Sequence, residues 1–470
     1  MSKFKLFVEN MLIYGLGGII SKVIPLIMVP IVTRIMPDKS YYGISDMSYV
    51  IISFATAFAV MGMYDAMYRM FFEKEDEDYK KSICSTALVF TLGTSVVVFL
   101  LMLLLKEYIA AFFLKDRGLS NLIYIVAIAT LVGGTNSIVS APTRMQNKRK
   151  VFLVANTISP ILSYSIAIPL LLKGYYVIAL PLAALIANLT IEISFLILNR
   201  QWFSIKNVDF SLLKPLLVIA IPLFPNFLVY WLFDSCDKVM ITRLIDIGAS
   251  GVYSVGAKLG QASQLIYTAF AGGWQFFAFS TMKEKEQVKS NSLVFEYLGI
   301  ISFVASMLVF VFAYPIYDLL FTKEYVSGYI VAPYLFMAPL MQMLFQIAAN
   351  QFLVVKKTWP NVFILGVGAL ANVIINLALI PVLGIEGAAV ATLLGYVISD
   401  IICVVVLIRM KLMVVSKRFI LAALIMVGFI IQWRVFTQGL VWLNLAVAVV
   451  ITAVYFGMYK SDLKGLKKKE

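Results

Sequence analysis

Apolar runs of about 20 residues recur along this chain from one end to the other, each set off by a short polar stretch. A helix rises 1.5 Å per residue, so about 20 residues cross a hydrocarbon core of about 30 Å. On that measure the pattern predicts helical spans at 10–35, 43–70, 82–105, 120–141, 152–172, 175–198, 212–234, 250–280, 293–314, 329–354, 361–382, 387–409, 418–433 and 441–459. Fourteen spans make an all-α integral membrane protein. The longest polar stretches, 73–81 and 201–214, are too short to fold alone.

Within the apolar runs a second pattern appears. Lys258, Gln261, Gln264, Thr268, Gly272 and Gln275 follow one another by steps of three and four, which places them on one helix face. Gln342, Gln346 and Asn350 repeat at four. Asn226, Tyr230 and Asp234 do the same in the seventh span, with Asp237 about one turn on, and Asn10, Tyr14 and Lys22 mark the first. A lone Asn, Gln or Thr in lipid commonly ties two helices together. Four such stripes accompanied by embedded charge predict a hydrated cavity.

The embedded charges are Lys22, Arg34, Arg69, Asp237, Arg243 and Lys258, five of them basic. A Lys or Arg at the centre of a bilayer helix costs roughly 2.5–3.5 kcal/mol, so a cationic interior implies an anionic cargo. Lys22 and Lys258 are the deepest and have no acid nearby in sequence. Arg34 and Arg243 lie toward span ends, where snorkelling also accounts for them. Asp237 is placed to neutralise Arg243, and Asp65 to pair with Arg69 one turn on. Asp65 and Asp237 are also candidates for coupling to a proton or sodium gradient, with Glu192, Asp234 and Asp400 as further embedded acids. Pro25 and Pro30 in the first span, and Pro222 and Pro225 in the seventh, are expected to interrupt those helices.

Composition narrows the class. The 470 residues are 61% hydrophobic and 14% charged, with a mean hydropathy of +0.93, which no soluble domain shares. There is no histidine and there are three scattered cysteines, so no metal or disulfide framework and no cofactor is expected. The net charge of +14 comes largely from short loops: Arg144 to Lys150, Arg200 to Lys214, Lys283 to Lys289, Lys356 and Lys357, Arg409 to Arg418, and the lysine-rich tail. By the positive-inside rule it sets topology, with both termini cytoplasmic, and does not signal nucleic acid. The largest opposite loops hold about 14 residues and no nucleophile–base pair is visible, which argues against a membrane-embedded glycosyltransferase.

The chain also repeats. Thr33-Arg34 and Thr242-Arg243 stand 209 apart, as do Ser45 and Ser254, and Lys148–Lys150 finds a counterpart in Lys356-Lys357. Spans 1–6 and 7–12 therefore form two six-helix lobes of the same orientation related by a pseudo-two-fold, 1–205 and 206–411, with a further helix pair and basic tail in 412–470. The internal duplication makes a monomer sufficient.

The stretch from Asp237 to Gly260, with Asp-Lys-Val-Met-Ile-Thr-Arg-Leu and Gly251-Val-Tyr-Ser-Val-Gly-Ala-Lys258, resembles the second-half signature of polysaccharide flippases. Leu379 to Thr392, and the opening segment through Arg34 and Tyr42-Gly43, resemble the same superfamily, the multidrug/oligosaccharidyl-lipid/polysaccharide exporters, most closely their Wzx-type O-antigen and capsule branch. The resemblance implies a MATE-like, V-shaped pair of lobes working by alternating access in the bacterial cytoplasmic membrane. It implies undecaprenyl-pyrophosphate-linked oligosaccharide repeat units as cargo, with membrane lipid, a polysaccharide polymerase and a chain-length regulator as partners. Lys22, Arg34, Arg243 and Lys258 would line the cationic cavity, and Asn226, Gln261, Gln342, Gln346 and Asn350 its polar walls. The alternatives are a MATE-type drug or cation extruder, whose cavity should be acidic, and an exporter of lipid II or teichoic acid, which shares the cationic logic.

Overall fold

The computed structural model describes residues 23–280, 286–355, 357 and 359–466, with side chains at most of them but not over much of 268–280 or over 461–466. Every regular element among them is helical. The principal helices are α1 (Val23–Ile35), α2 (Lys39–Val60), α3 (Met63–Phe71), α4 (Glu77–Leu104), α5 (Leu122–Met145), α6 (Arg149–Leu172), α7 (Ala179–Leu198) and α8 (Leu213–Leu244). They continue with α9 (Ile247–Ser280), α10 (Gln287–Leu320), α11 (Ala332–Val354), α12 (Trp359–Leu383), α13 (Ile385–Arg409), α14 (Lys417–Val435) and α15 (Val441–Leu466). Twelve of the described helices are long and apolar enough to cross a membrane, and they coincide with twelve of the expected spans. The other two spans hold the described part of α1 and the 34-residue α9, whose Lys258 and Gln, Ser and Gly positions make it more polar.

Three expectations are corrected. The span 43–70 is two helices, because Met61 (φ 48°) and Gly62 (φ 76°) are left-handed and end α2. A Cβ on Gly62 would lie 2.5 Å from the Ala220 carbonyl oxygen of α8, so the break is also a close backbone approach. Second, the prolines do not interrupt their helices: α8 runs unbroken for 32 residues through Pro222 and Pro225, and the described α1 runs through Pro25 and Pro30. A proline removes one N–H, and a long helix tolerates this where neighbouring helices hold the rest of it in place. Third, α8 extends to Leu244, past the expected end of that span at 234, and carries Asp237 and Arg243 within it.

Helix starts follow local chemistry. Asp38 caps α2 by accepting the Ser40 N–H at 2.7 Å, and its hydrogen bonds from Ser40 hold the carboxyl below its ordinary range. Asp76 caps α4 and Ser416 caps α14.

The chain packs as two compact units, Met1–Ser254 and Val255–Glu470, dividing inside α9. Packing assigns α8 to the first unit, where it lies against α2 and α3. In that unit α5 packs on α2, α4 and α7. Met63, Met67, Met70, Ile83 and Leu216 form one apolar cluster, and Ile44, Met47, Ile51, Ile123 and Val126 belong to another. The connection after α7 is tied to α4: Ser85 donates to the Trp202 carbonyl, and Thr86 exchanges hydrogen bonds with the Asp209 backbone. In the second unit α13 packs on α11 and α12, and α10 on α11, α14 and α15.

The α2–α9 crossing depends on two glycines. A Cβ on Gly251 would stand 2.6 Å from the Lys39 carbonyl oxygen and 2.9 Å from the Gly43 nitrogen. Gly251→Ala is therefore expected to cost about 1–3 kcal/mol, seen as a lowered melting temperature of purified protein; an unchanged melt would show that the crossing relaxes freely.

Candidate functional site

In the first unit, α2, α8 and the start of α9 assemble a buried ionic cluster. The Lys238 ammonium lies 2.8 Å from Asp46 Oδ2, with side chains only 16% and 11% exposed. Ser254 donates to the same oxygen at 2.7 Å. Asp237, one residue from Lys238, is buried and accepts the Tyr253 hydroxyl at 2.7 Å. Successive helix residues are about 100° apart, so the two adjacent charges serve different neighbours. With its partners close and water nearly excluded, a pair of this kind is held by geometry and hydrogen bonds rather than by solvent.

Arg243 is exposed and is held elsewhere. Its Nη1 donates to the carbonyls of Ala111 (3.3 Å) and Phe112 (3.4 Å), and its guanidinium lies 5.1 Å from the Phe112 ring centre. Lys115 closes the junction by donating to the Arg243 and Ile245 carbonyls. No ion pair joins Asp237 to Arg243 among the described residues: six steps along a helix turn the two side chains about 120° apart, so they meet different neighbours. Arg34, its counterpart at a spacing of 209, is likewise exposed, while Thr33 and Thr242 are both buried, as are Ser45 and Ser254. Asp65 is half-buried in the first turn of α3 and Arg69 is exposed in its last turn. No ion pair joins them among the described residues; each instead complements the dipole of its own helix end.

The second unit carries the α11 stripe. Gln342 and Gln346 are half-buried and Asn350 is buried, on the face their four-residue spacing predicts. Lys258 is half-buried on α9. Gly256 and Gly260 seat α9 tightly against Gly328, Val331 and Leu335. Lys258 is turned roughly 200° from Gly256 about the helix axis, so it projects away from that contact. Lys22 lies outside the described residues, as do the side chains of Asn226 and Gln261.

Three acids that the sequence stripes do not single out prove to be hubs: Asp46, Glu296 and Glu386. Glu386 accepts Arg434 Nε at 2.6 Å and the Tyr334 hydroxyl at 3.1 Å, joining α13 to α14 and α11. Their signal is an acid inside an otherwise apolar helix. What the signal lacks is the partner, which in each case lies on another helix.

Comparison with known proteins follows this geometry. The profile of a family described as polysaccharide biosynthesis protein matches residues 31–329. An uncharacterized membrane protein of Methanocaldococcus jannaschii is 28% identical over 237 residues, 49% of this chain and 46% of that protein, so the chain spans about half the length of the curated relative it matches. Among solved structures, the lipid II flippase MurJ in an inward closed conformation superposes with a TM-score of 0.74 at 14% identity, over 96% of this chain and 99% of that one. An inward-facing multidrug resistance MATE transporter of the MOP superfamily gives 0.66 at 12% identity, over 83% and 94%. A MATE protein in a straight conformation gives 0.60 at 13%, over 86% and 95%. At these identities the structures establish a shared fold.

Proposed function

Because the chain belongs to the polysaccharide biosynthesis protein family and has the fold of the MOP superfamily, we propose that it is a flippase for undecaprenyl-pyrophosphate-linked oligosaccharide repeat units. It is a multi-pass membrane transporter rather than an enzyme. The observation that carries the reading is the family match over 31–329 laid on a bundle of membrane-crossing helices. Its cargo would be the repeat units of O-antigen, capsule or exopolysaccharide, moved across the bacterial cytoplasmic membrane by alternating access. Both termini would lie in the cytoplasm, with a monomer as the working unit and polymerase and chain-length regulator downstream.

The cationic positions fit a pyrophosphate. Such a group brings about two negative charges into a medium where unit charges interact far more strongly than in water, and a lysine at mid-depth offsets its desolvation. Arg243 is engaged by the 111 and 112 carbonyls, which leaves the deep lysines, Lys258 and Lys22, as the principal contacts. The glutamines and Asn350 of α11 suit sugar hydroxyls. The likeness to MurJ over nearly the whole chain favours one second reading, a lipid II type of cargo, which shares the polyprenyl pyrophosphate and differs in the headgroup it carries.

The test is the location of lipid-linked repeat units in the native host after depletion of the protein. Spheroplasts are treated with an external glycosidase. Protected, inward-facing units should accumulate, and wild type should clear them while Lys22→Ala with Lys258→Ala should not. Clearance by the double variant would remove the two lysines from the site. Intact surface glycan with no accumulation would reject the flippase.

A further inference from the structure

A groove in the first unit has no part in anything described so far. Its volume is about 540 Å³, and it is lined by Phe58 and Met61 at the end of α2, by Phe90, Gly93 and Val97 of α4, and by Leu213 of α8. All three helices are membrane-crossing. Val97 is 58% exposed and Phe58 38%, so the groove is open along its side. Nothing stands within 4 Å of the place a Cβ on Gly93 would take, and that bare position gives the groove its depth.

The wall carries two polar side chains, and both are spent. Thr94 Oγ1 donates to the Ala59 carbonyl at 2.6 Å, and Thr86 exchanges hydrogen bonds with the Asp209 backbone. No charged side chain lines the groove. A sugar or a pyrophosphate entering it would give up water and find no partner. A hydrocarbon chain gives up nothing and gains close packing along its length.

Length and charge then select the chain. Along α4 the lining runs from Thr86 to Val98, about 18 Å, a little over half of a hydrocarbon core of about 30 Å. One end is closed by the polar 205–212 connection, where Phe210 completes the lining and Thr86 ties the backbone down. Lys206 and Lys214 stand on either side of Phe210, both exposed. The acids near that end are already engaged: Asp209 accepts the Ser211 N–H at 2.9 Å, and Glu75 and Glu77 pair with Lys80 and Lys81. The mouth is therefore cationic, and the groove reaches from there to about mid-membrane.

We propose that this groove seats one acyl chain of a membrane phospholipid whose anionic headgroup lies at Lys206 and Lys214. The inference rests on the chain crossing the membrane and not on the identity of its cargo. The span of one leaflet suits an acyl chain, whereas a long polyprenyl tail would overrun it. Met61, whose left-handed turn ends α2, is part of the wall, so the bound chain braces the α2–α3 break.

The test is native mass spectrometry of the delipidated full-length protein with phosphatidylglycerol or phosphatidylcholine added. Wild type should retain one phosphatidylglycerol per chain in preference to phosphatidylcholine. Gly93→Leu fills the groove from a helix position that leucine favours, and should weaken that binding by about tenfold. Lys206→Ala and Lys214→Ala lie at the exposed end and should each weaken phosphatidylglycerol by about fivefold while leaving phosphatidylcholine unchanged. Undiminished binding by Gly93→Leu overturns the groove as the seat. Equal affinity of wild type for the two lipids overturns the headgroup assignment. Displacement of the bound phosphatidylglycerol by equimolar undecaprenyl phosphate overturns the resident lipid and gives the groove to the tail of a polyprenyl cargo.

Discussion

Asp46→Ala is expected to destabilise the protein by about 3–5 kcal/mol, the range seen when one partner of a buried ion pair is removed. The ammonium of Lys238 would keep its place between α2 and α8, 16% exposed, with the carboxylate that sits 2.8 Å away gone. Ser254 would lose its acceptor as well. Lys238→Met should cost less, because Asp46 keeps the Ser254 hydroxyl. The double variant Asp46→Leu with Lys238→Met removes both charges and fills the space with apolar atoms, so it should recover most of the loss. Thermal melts of wild type, Asp46→Leu, Lys238→Met and the double variant form a double-mutant cycle whose coupling energy isolates the pair. If Asp46→Ala melts with the wild type, the pair is solvated and the cluster does not hold α2 to α8. The double variant also has a functional reading. The tie joins α2 to α8, so flipping by a stable double variant distinguishes a brace from a latch: an altered rate means that the pair governs movement of α8 along α2.

The order of the membrane-crossing helices is legible in the sequence because bilayer thickness sets the least length of an apolar run that can cross, and this constraint needs no knowledge of neighbours. The stripe on α11 is legible for a related reason: a four-residue step is a geometric statement about one helix. The misses share a cause. The break between α2 and α3 rests on Met61 and Gly62 turning left-handed where the Ala220 backbone approaches, and one glycine in an apolar run does not announce that approach. Pro222 and Pro225 suggest interruption, yet α8 absorbs both. The pairing of Asp237 with Arg243 fails because proximity in sequence is not proximity around a helix; Tyr253 and the 111–112 carbonyls are the real partners. Lys238 shows the limit most clearly. Its acid, Asp46, lies on another helix far back in the chain, and only packing brings the two together.

One carboxylate ties both helices of the C-terminal pair, α14 and α15, to α10, and Glu296→Ala is the second substitution expected to have a large effect. Glu296 of α10 is buried and accepts the Ser416 N–H at 2.7 Å and the Ser416 hydroxyl at 2.7 Å. It also accepts the Tyr459 hydroxyl of α15 at 3.2 Å and faces Arg418 Nε at 3.7 Å. Ser416 is the N-cap of α14, so a single side chain fixes where that helix begins and ties α15 beside it. Around this knot Phe419 stacks on Phe303 and meets Phe295 edge-on, and Gly299 leaves room for its ring. Alanine would orphan three donors and remove the carboxylate that faces Arg418, a loss of about 3–5 kcal/mol. Glutamine keeps an acceptor oxygen but not the charge or the second acceptor, so it should fall between alanine and wild type. The same order should appear in tryptic cleavage at the 409–418 connection, where Arg409, Lys411 and Lys417 are exposed and cleavage depends on how often α14 lifts away. Equal cleavage in all three proteins would mean that the aromatic packing alone seats the helix pair and that the carboxylate is incidental to it.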